Sequence, residues 1–196
     1  MAKYENPPFE RGTYQTDGFA NQVGKLYQHE DVDYNQTGGT KPKRSGKYVT
    51  VMLVKNNSGF ALLPKRLVAL STTAGQVGQV AGYTRTTAAQ GYPVDEFLPS
   101  AGVPDGAYFY IVVQGPAMCI VSLSDLAAVV NVGDYVVAIT AATSGATTAG
   151  RIAAQDLTGA TAVLAAQILN RVGRALTART TANTNSDILL DIQQVF

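Results

Sequence analysis

Residues 107–123 read AYFYIVVQGPAMCIVSL and carry the clearest β signal of the chain. Two apolar runs, AYFYIVVQ (107–114) and AMCIVSL (117–123), are rich in β-branched and aromatic residues, which favour strands. Gly115-Pro116 separates them and is typical of a tight turn. The stretch therefore predicts an apolar β-hairpin.

Further strands are predicted on the N-terminal side of this hairpin. KYVTVMLVKN (47–56) alternates like a strand, and GFALLPKRLVAL (59–70) predicts a second strand that Pro64 interrupts. QVGQVAGYTR (76–85) and VDEFLP (94–99) are shorter candidates. Glycines 75, 78 and 82 lack the Lys-Ser/Thr of a phosphate-binding loop, so we interpret them as bulges and turns.

The C-terminal side predicts more short strands and one helix. A Val132-Gly133-Asp134 turn leads into YVVAIT (135–140), and RIAAQD (151–156) follows a low-complexity loop. ATAVLAAQILN (160–170), rich in Ala and Leu, predicts the single α-helix. Strands over 172–178 and 187–195 predict a closing hairpin, which in a small barrel or sandwich covers an open edge. Residues 47–196 are thus predicted to form a β-barrel-like or sandwich-like body.

The composition is poor in charge. Only 15% of the 196 residues are charged, against about 25% in a typical soluble domain. Such a surface suits a subunit that neighbours cover. The net charge of +1 argues against nucleic-acid binding, which needs a basic face. No apolar run approaches the roughly 18 residues of a membrane span, and no secretory signal is apparent at the N-terminus, so we expect synthesis in the cytoplasm.

Residues 1–46 differ from the rest and are predicted to form an extended N-terminal arm. Val23, Leu26 and Val32 are their only large aliphatic residues, too few to offset the entropy of ordering the segment. The arm carries spaced aromatic rings and ends in a short basic cluster, both of which we interpret as anchors for a partner. The candidate anchors are Tyr4, Phe9, Tyr14, Phe19, Tyr27, Tyr34, Lys41, Lys43 and Arg44.

The sequence offers no constellation that predicts catalysis, a cofactor or a metal. The single histidine, His29, lies in the polar arm, where no rigid shell is expected to hold it, and His29, Glu30, Asp31 and Asp33 together predict a solvated face. Cys119 lies in an apolar run and predicts a buried thiol. Asp95 and Glu96 are adjacent, so on a strand they would point to opposite faces. We therefore expect a protein that is not an enzyme.

Several of these motifs resemble a known family. The chain resembles the capsid decoration, or cement, proteins of tailed bacteriophages in the order of its motifs. These are VNVGDYVVA (130–138), GRIAAQ (150–155), the helix, RVGRALTA (171–178) and ILLDIQQV (188–195). The resemblance covers about residues 105–196 and leaves the arm unexplained. It implies a structural virion protein on the outer surface of the capsid.

The resemblance also implies partners. Proteins of this family bridge major capsid subunits and usually form homotrimers, so the expected partners are the major capsid protein, other copies of this chain and neighbouring decoration subunits, with no membrane and no direct nucleic-acid contact. We expect the arm to bind the capsid and the body to trimerise. Two alternatives remain: another phage structural component, such as a head-fibre base or tail protein, and a ligand- or carbohydrate-binding β-domain with aromatic and acidic residues in a pocket.

Overall fold

The structure, a computed structural model, describes residues 6–34, 42–84, 90–121, 129–138, 149–155, 165, 168–179 and 187–193. Within these ranges it contains a short 3-10 helix, Ala20–Gln22, and ten strands. The strands are β1 (Leu26–Val32), β2 (Lys43–Asn56), β3 (Leu67–Leu70), β4 (Gln79–Tyr83), β5 (Tyr92–Pro93), β6 (Tyr108–Ile120), β7 (Tyr135–Ala138), β8 (Ile152–Ala154), β9 (Gly173–Ala175) and β10 (Asp187–Gln193).

All ten strands belong to one sheet, which confirms the mainly β class. The order is β5-β3-β4-β2-β6-β10-β9-β7-β8, and β1 pairs with β2 beside this path. Among the described strands no ladder joins β5 to β8, so the sheet is not closed into the predicted barrel. The terminal strands have only two and three residues. A hydrogen bond from the N–H of Leu67, on β3, to the carbonyl of Gly150, two residues before β8, spans 2.6 Å.

Strand β6 corrects the predicted central hairpin. Residues 108–120 continue in one direction through Gly115-Pro116, because β2 pairs with the first half and β10 with the second, both antiparallel. Val51 pairs with Val112 but Thr50 with Gln114, so β6 carries an extra residue, a β-bulge. Gly115 follows with φ 98°. The Gly-Pro pair therefore bends a long strand and does not reverse it.

The long strands β2 and β6 bury both faces. Val51 and Leu53 belong to one hydrophobic cluster, which also contains side chains of β1 and β7–β10. Met52 and Val54 belong to a second cluster with side chains of β3–β5. A strand that is covered on both sides reads as a continuous apolar run, which is why these two segments gave the clearest strand signals.

Residues 6–34 do not extend away from the body, which corrects the predicted arm. Strand β1 pairs along Leu26–Glu30 with β2, and Gln15 exchanges backbone hydrogen bonds with Tyr108, at 2.9 and 2.7 Å. Strand β2 begins at Lys43 and so crosses the predicted boundary at residue 46. Deleting residues 1–46 would remove a strand of the sheet, so that truncation cannot isolate a capsid-binding function.

The C-terminal predictions agree with the described residues. Strands β9 and β10 form an antiparallel pair, with Leu190 opposite Ala175 and Ile192 opposite Gly173. Of the predicted helix at 160–170, residues 160–164, 166 and 167 lie outside the description, and Ala165, Ile168 and Leu169 are helical. Across the described part of the chain, no helix combines the length and apolarity needed to cross a membrane.

Candidate functional site

The aromatic rings of the predicted arm pack on the chain's own sheet. Phe9 stacks on Tyr110 with ring centroids 4.5 Å apart, and Phe19 meets Phe9 edge-on at 5.2 Å. Tyr27 is fully buried in the core. Tyr14 is partly buried against the second cluster. Tyr4 and Lys41 lie outside the described residues. Burial removes Tyr27 from any partner surface, whereas the capsid-binding role of the other residues stays a prediction.

A buried ion pair fastens the N-terminal segment. Arg11 donates from Nε to Asp95 Oδ2 at 2.9 Å and from Nη2 to Oδ1 at 3.1 Å, and both side chains are completely buried. This two-pronged geometry is the strongest form of an arginine–carboxylate contact. Burial lowers the pKa of Arg11, but the Asp95 carboxylate, together with Glu96, outweighs burial and raises that pKa above its ordinary value. The pair is therefore charged and structural.

A second arginine connects strand β2 to the same region. Arg44 lies 3.1 Å from Asp31 and 3.0 Å from Glu96. Burial raises the pKa of Glu96, and Arg44 opposes that rise. The guanidinium carbons of Arg11 and Arg44 each lie 5.1 Å from the centroid of the Phe97 ring. Asp95 and Glu96 thus contact two different arginines, and neither lies on a strand.

His29 is held rigidly, contrary to the expectation of a flexible, solvated position. It is buried on β1, its ring lies 5.3 Å from Tyr110, and its Nδ1 is 3.4 Å from the Tyr34 hydroxyl. Burial, followed by the Arg11 charge, lowers the pKa of His29 to about 4. The ring is therefore neutral near pH 7 and suited to packing.

The described residues form no metal site. No group of three His, Cys, Asp or Glu side chains among them is placed to hold a metal ion. Cys119 is completely buried, as the sequence predicted, and burial raises the pKa of its thiol. A thiol that stays protonated is a poor nucleophile. The network of Arg11, His29 and Asp95 anchors the N-terminal segment through the Arg11–Asp95 ion pair and the contact of the His29 ring with Tyr110.

The sequence did not predict strand β1, which carries His29, because the buried side chains of this strand are mostly polar. Tyr27, His29 and Asp31 are buried at every second position, while Gln28 and Glu30 are exposed. The period of two is present, but only Tyr27 would have registered as apolar. The alternation that predicts β1 is visible only when His29 and Asp31 are counted with Tyr27 as inward-facing residues.

Exposed apolar side chains are concentrated in the last third of the chain. Nine large apolar side chains are exposed among the described residues, and six of them lie between residues 129 and 176. Tyr135, Ile168 and Leu169 line one cavity of about 300 Å³, whose wall also contains the polar side chains of Gln90, Arg171 and Gln193. We call these six residues the C-terminal apolar surface: Val129, Val132, Tyr135, Ile168, Leu169 and Leu176.

Neither a protein-family model nor a curated protein matches this chain.

Proposed function

We propose that this chain is a structural virion protein that binds the outside of a bacteriophage capsid and cements neighbouring major capsid subunits. The motifs at 130–138, 171–178 and 188–195 support this proposal through their resemblance to decoration proteins. The mainly β sheet is compatible with it. In this role the protein self-associates, as a homotrimer, and attaches to the capsid lattice at many points.

The observation that carries the proposal is the C-terminal apolar surface in a chain with 15% charged residues. Tyr135, Ile168 and Leu169 line one cavity, exposed apolar side chains that lie together favour contact with a neighbour, and a low charge content makes a free monomer prone to association. Leu169 is 80% exposed, so it gains most from a neighbour. We assign this surface to contacts between copies of the chain.

Co-sedimentation with phage heads tests the proposal. Purified protein is mixed with expanded heads that lack it, and bound protein is measured after ultracentrifugation. We expect saturable binding with many copies per head, because attachment at many lattice points amplifies modest affinities. Protein that stays in the supernatant at all concentrations would contradict the proposal. Binding only to tails would favour a tail component.

A further inference from the structure

A row of polar side chains crosses four neighbouring strands. Gln28 of β1 lies opposite Thr50 of β2, Thr50 lies opposite Gln114 of β6, and Gln114 lies opposite Gln193 of β10. The three glutamines are exposed, and Thr50 is buried between them. With strands about 4.8 Å apart, the row spans about 14 Å. Gln193 also lines the cavity beside Tyr135, Ile168 and Leu169, whereas Gln28, Thr50 and Gln114 belong to neither that cavity nor the anchoring network.

All four residues line one groove of about 460 Å³. The groove lies where β6 passes from its pairing with β2 to its pairing with β10, next to the bulge and Gly115. Tyr48, 61% exposed, lies on the groove wall. Because the wall consists of sheet strands, the polar groups are held on rigid elements, as a specific binding site requires.

The charges at the groove balance each other. Lys47 Nζ lies 3.9 Å from Asp191 Oδ2, and Gln193 Nε2 donates to the same carboxylate oxygen at 3.3 Å. What remains is the amide groups of Gln28 and Gln114, each with two N–H donors and a carbonyl acceptor, and the second N–H and the carbonyl of Gln193, beside an exposed aromatic ring. Such a groove is suited to a neutral ligand with many hydroxyl groups.

Pyranose sugars have this chemistry. Their hydroxyl groups both donate and accept hydrogen bonds, which amide side chains satisfy in both directions, and their C–H faces pack on an exposed tyrosine ring. A nucleic acid would need a basic groove, and a lipid or drug-like ligand would need a mainly apolar one. The row is long enough for two or three sugar units.

We propose that this groove binds a neutral oligosaccharide along the Gln28–Thr50–Gln114–Gln193 row, with Tyr48 packing on one sugar ring. The proposal goes beyond capsid attachment and does not depend on it, since the groove lies within a single chain. On a particle with many copies, weak binding at each groove adds up to strong attachment to a glycan-bearing surface.

Calorimetry and saturation-transfer NMR on the full chain test the proposal. The probes are maltohexaose, cellohexaose, chitohexaose and a mannohexaose, which cover the common neutral sugars. We expect at least one to bind with a Kd below about 1 mM. Tyr48→Ala and Gln114→Ala should each weaken that binding at least about tenfold, because each removes a directed contact.

Phe60→Ala is the matched control for Tyr48→Ala. Phe60 is also an exposed aromatic residue, at 39%, and its carbonyl accepts a hydrogen bond from Asn56 at the far end of β2, about 26 Å along the strand from Tyr48. The Phe60→Ala variant should bind sugar with the same affinity as the unaltered chain. The proposal is overturned if none of the four probes binds below about 1 mM, or if Tyr48→Ala binds as tightly as Phe60→Ala. Failure of head binding leaves this result unaffected.

Discussion

At the scale of single residues, the Arg11–Asp95 pair shows how a segment with few aliphatic residues becomes ordered. The two side chains are 84 positions apart and fully buried. Each desolvated charge is tolerable only because the other is present. The pair therefore attaches the N-terminal segment to the body at one defined position, where Phe9 stacks on Tyr110 beside it.

Replacing one partner of this pair should be costly. We expect Arg11→Met to lower the free energy of unfolding by about 3–5 kcal/mol, because it leaves the Asp95 carboxylate buried and unpaired. Urea denaturation measures the loss. The double variant Arg11→Met/Asp95→Leu should recover much of it. As a control, the exposed Lys43–Glu30 pair, 3.3 Å apart, should contribute less than about 1 kcal/mol when Lys43→Ala removes it.

His29 should make stability depend on pH. The unfolded ring takes up a proton near pH 6.5, whereas the folded ring resists protonation until about pH 4. Protons therefore favour the unfolded state in this window, and stability falls as the pH drops from 6.5 to 4. The loss should be on the order of 2 kcal/mol.

The comparison variant for this pH effect is His29→Gln. Glu96, whose pKa burial raises, acts in the opposite direction, so the difference between the two proteins isolates the histidine. Urea midpoints at pH 7 and pH 4.5 provide the measurement. An equal loss of stability in both proteins would show that His29 is not the cause.

At the scale of elements, the bend in β6 depends on Gly115. Its φ of 98° is in the region that favours glycine, and a Cβ there would lie 2.8 Å from the Tyr48 carbonyl oxygen. This close approach lets β2 run beside the bend, so the same glycine shapes the wall of the groove.

Gly115→Ala should lower the free energy of unfolding by about 2 kcal/mol or more, from backbone strain plus the clash. Gly18→Ala is the matched control, because Gly18 also has positive φ, 82°, but no atom lies within 4 Å of its Cβ position. It should cost about 1 kcal/mol. Thermal unfolding compares the two, and equal losses would mean that the approach to Tyr48 is not tight.

The sequence predicted elements that bury aliphatic residues and failed where burial is polar or a turn signal is overridden. Strands β2, β7 and β10 were predicted because both or alternate faces are apolar. Strand β1 was missed because it buries His29 and Asp31. The Gly115-Pro116 signal was read as a reversal, but pairing with β10 extends the strand instead. The polar groove could not be predicted, because its residues come from four strands whose order in the sheet is not contained in local sequence patterns.

At the scale of the whole molecule, the C-terminal apolar surface should control self-association. We expect the unaltered chain to have the mass of a trimer by light scattering, and Leu169→Glu to shift it towards the monomer, because burying a charge in a contact between copies is costly. Val77→Glu is the control, since Val77 is equally exposed, at 82%, but lies outside that surface. Identical masses for the two variants would contradict the assignment.

Thermal release of DNA tests the proposed role of the protein in strengthening a phage head. DNA-filled heads that lack the protein are heated with and without saturating purified protein, and release is followed with an intercalating dye. A protein that bridges capsid subunits stabilises the assembled shell by binding to it, so we predict that release moves to a higher temperature. An unchanged release temperature at saturating binding would contradict the account.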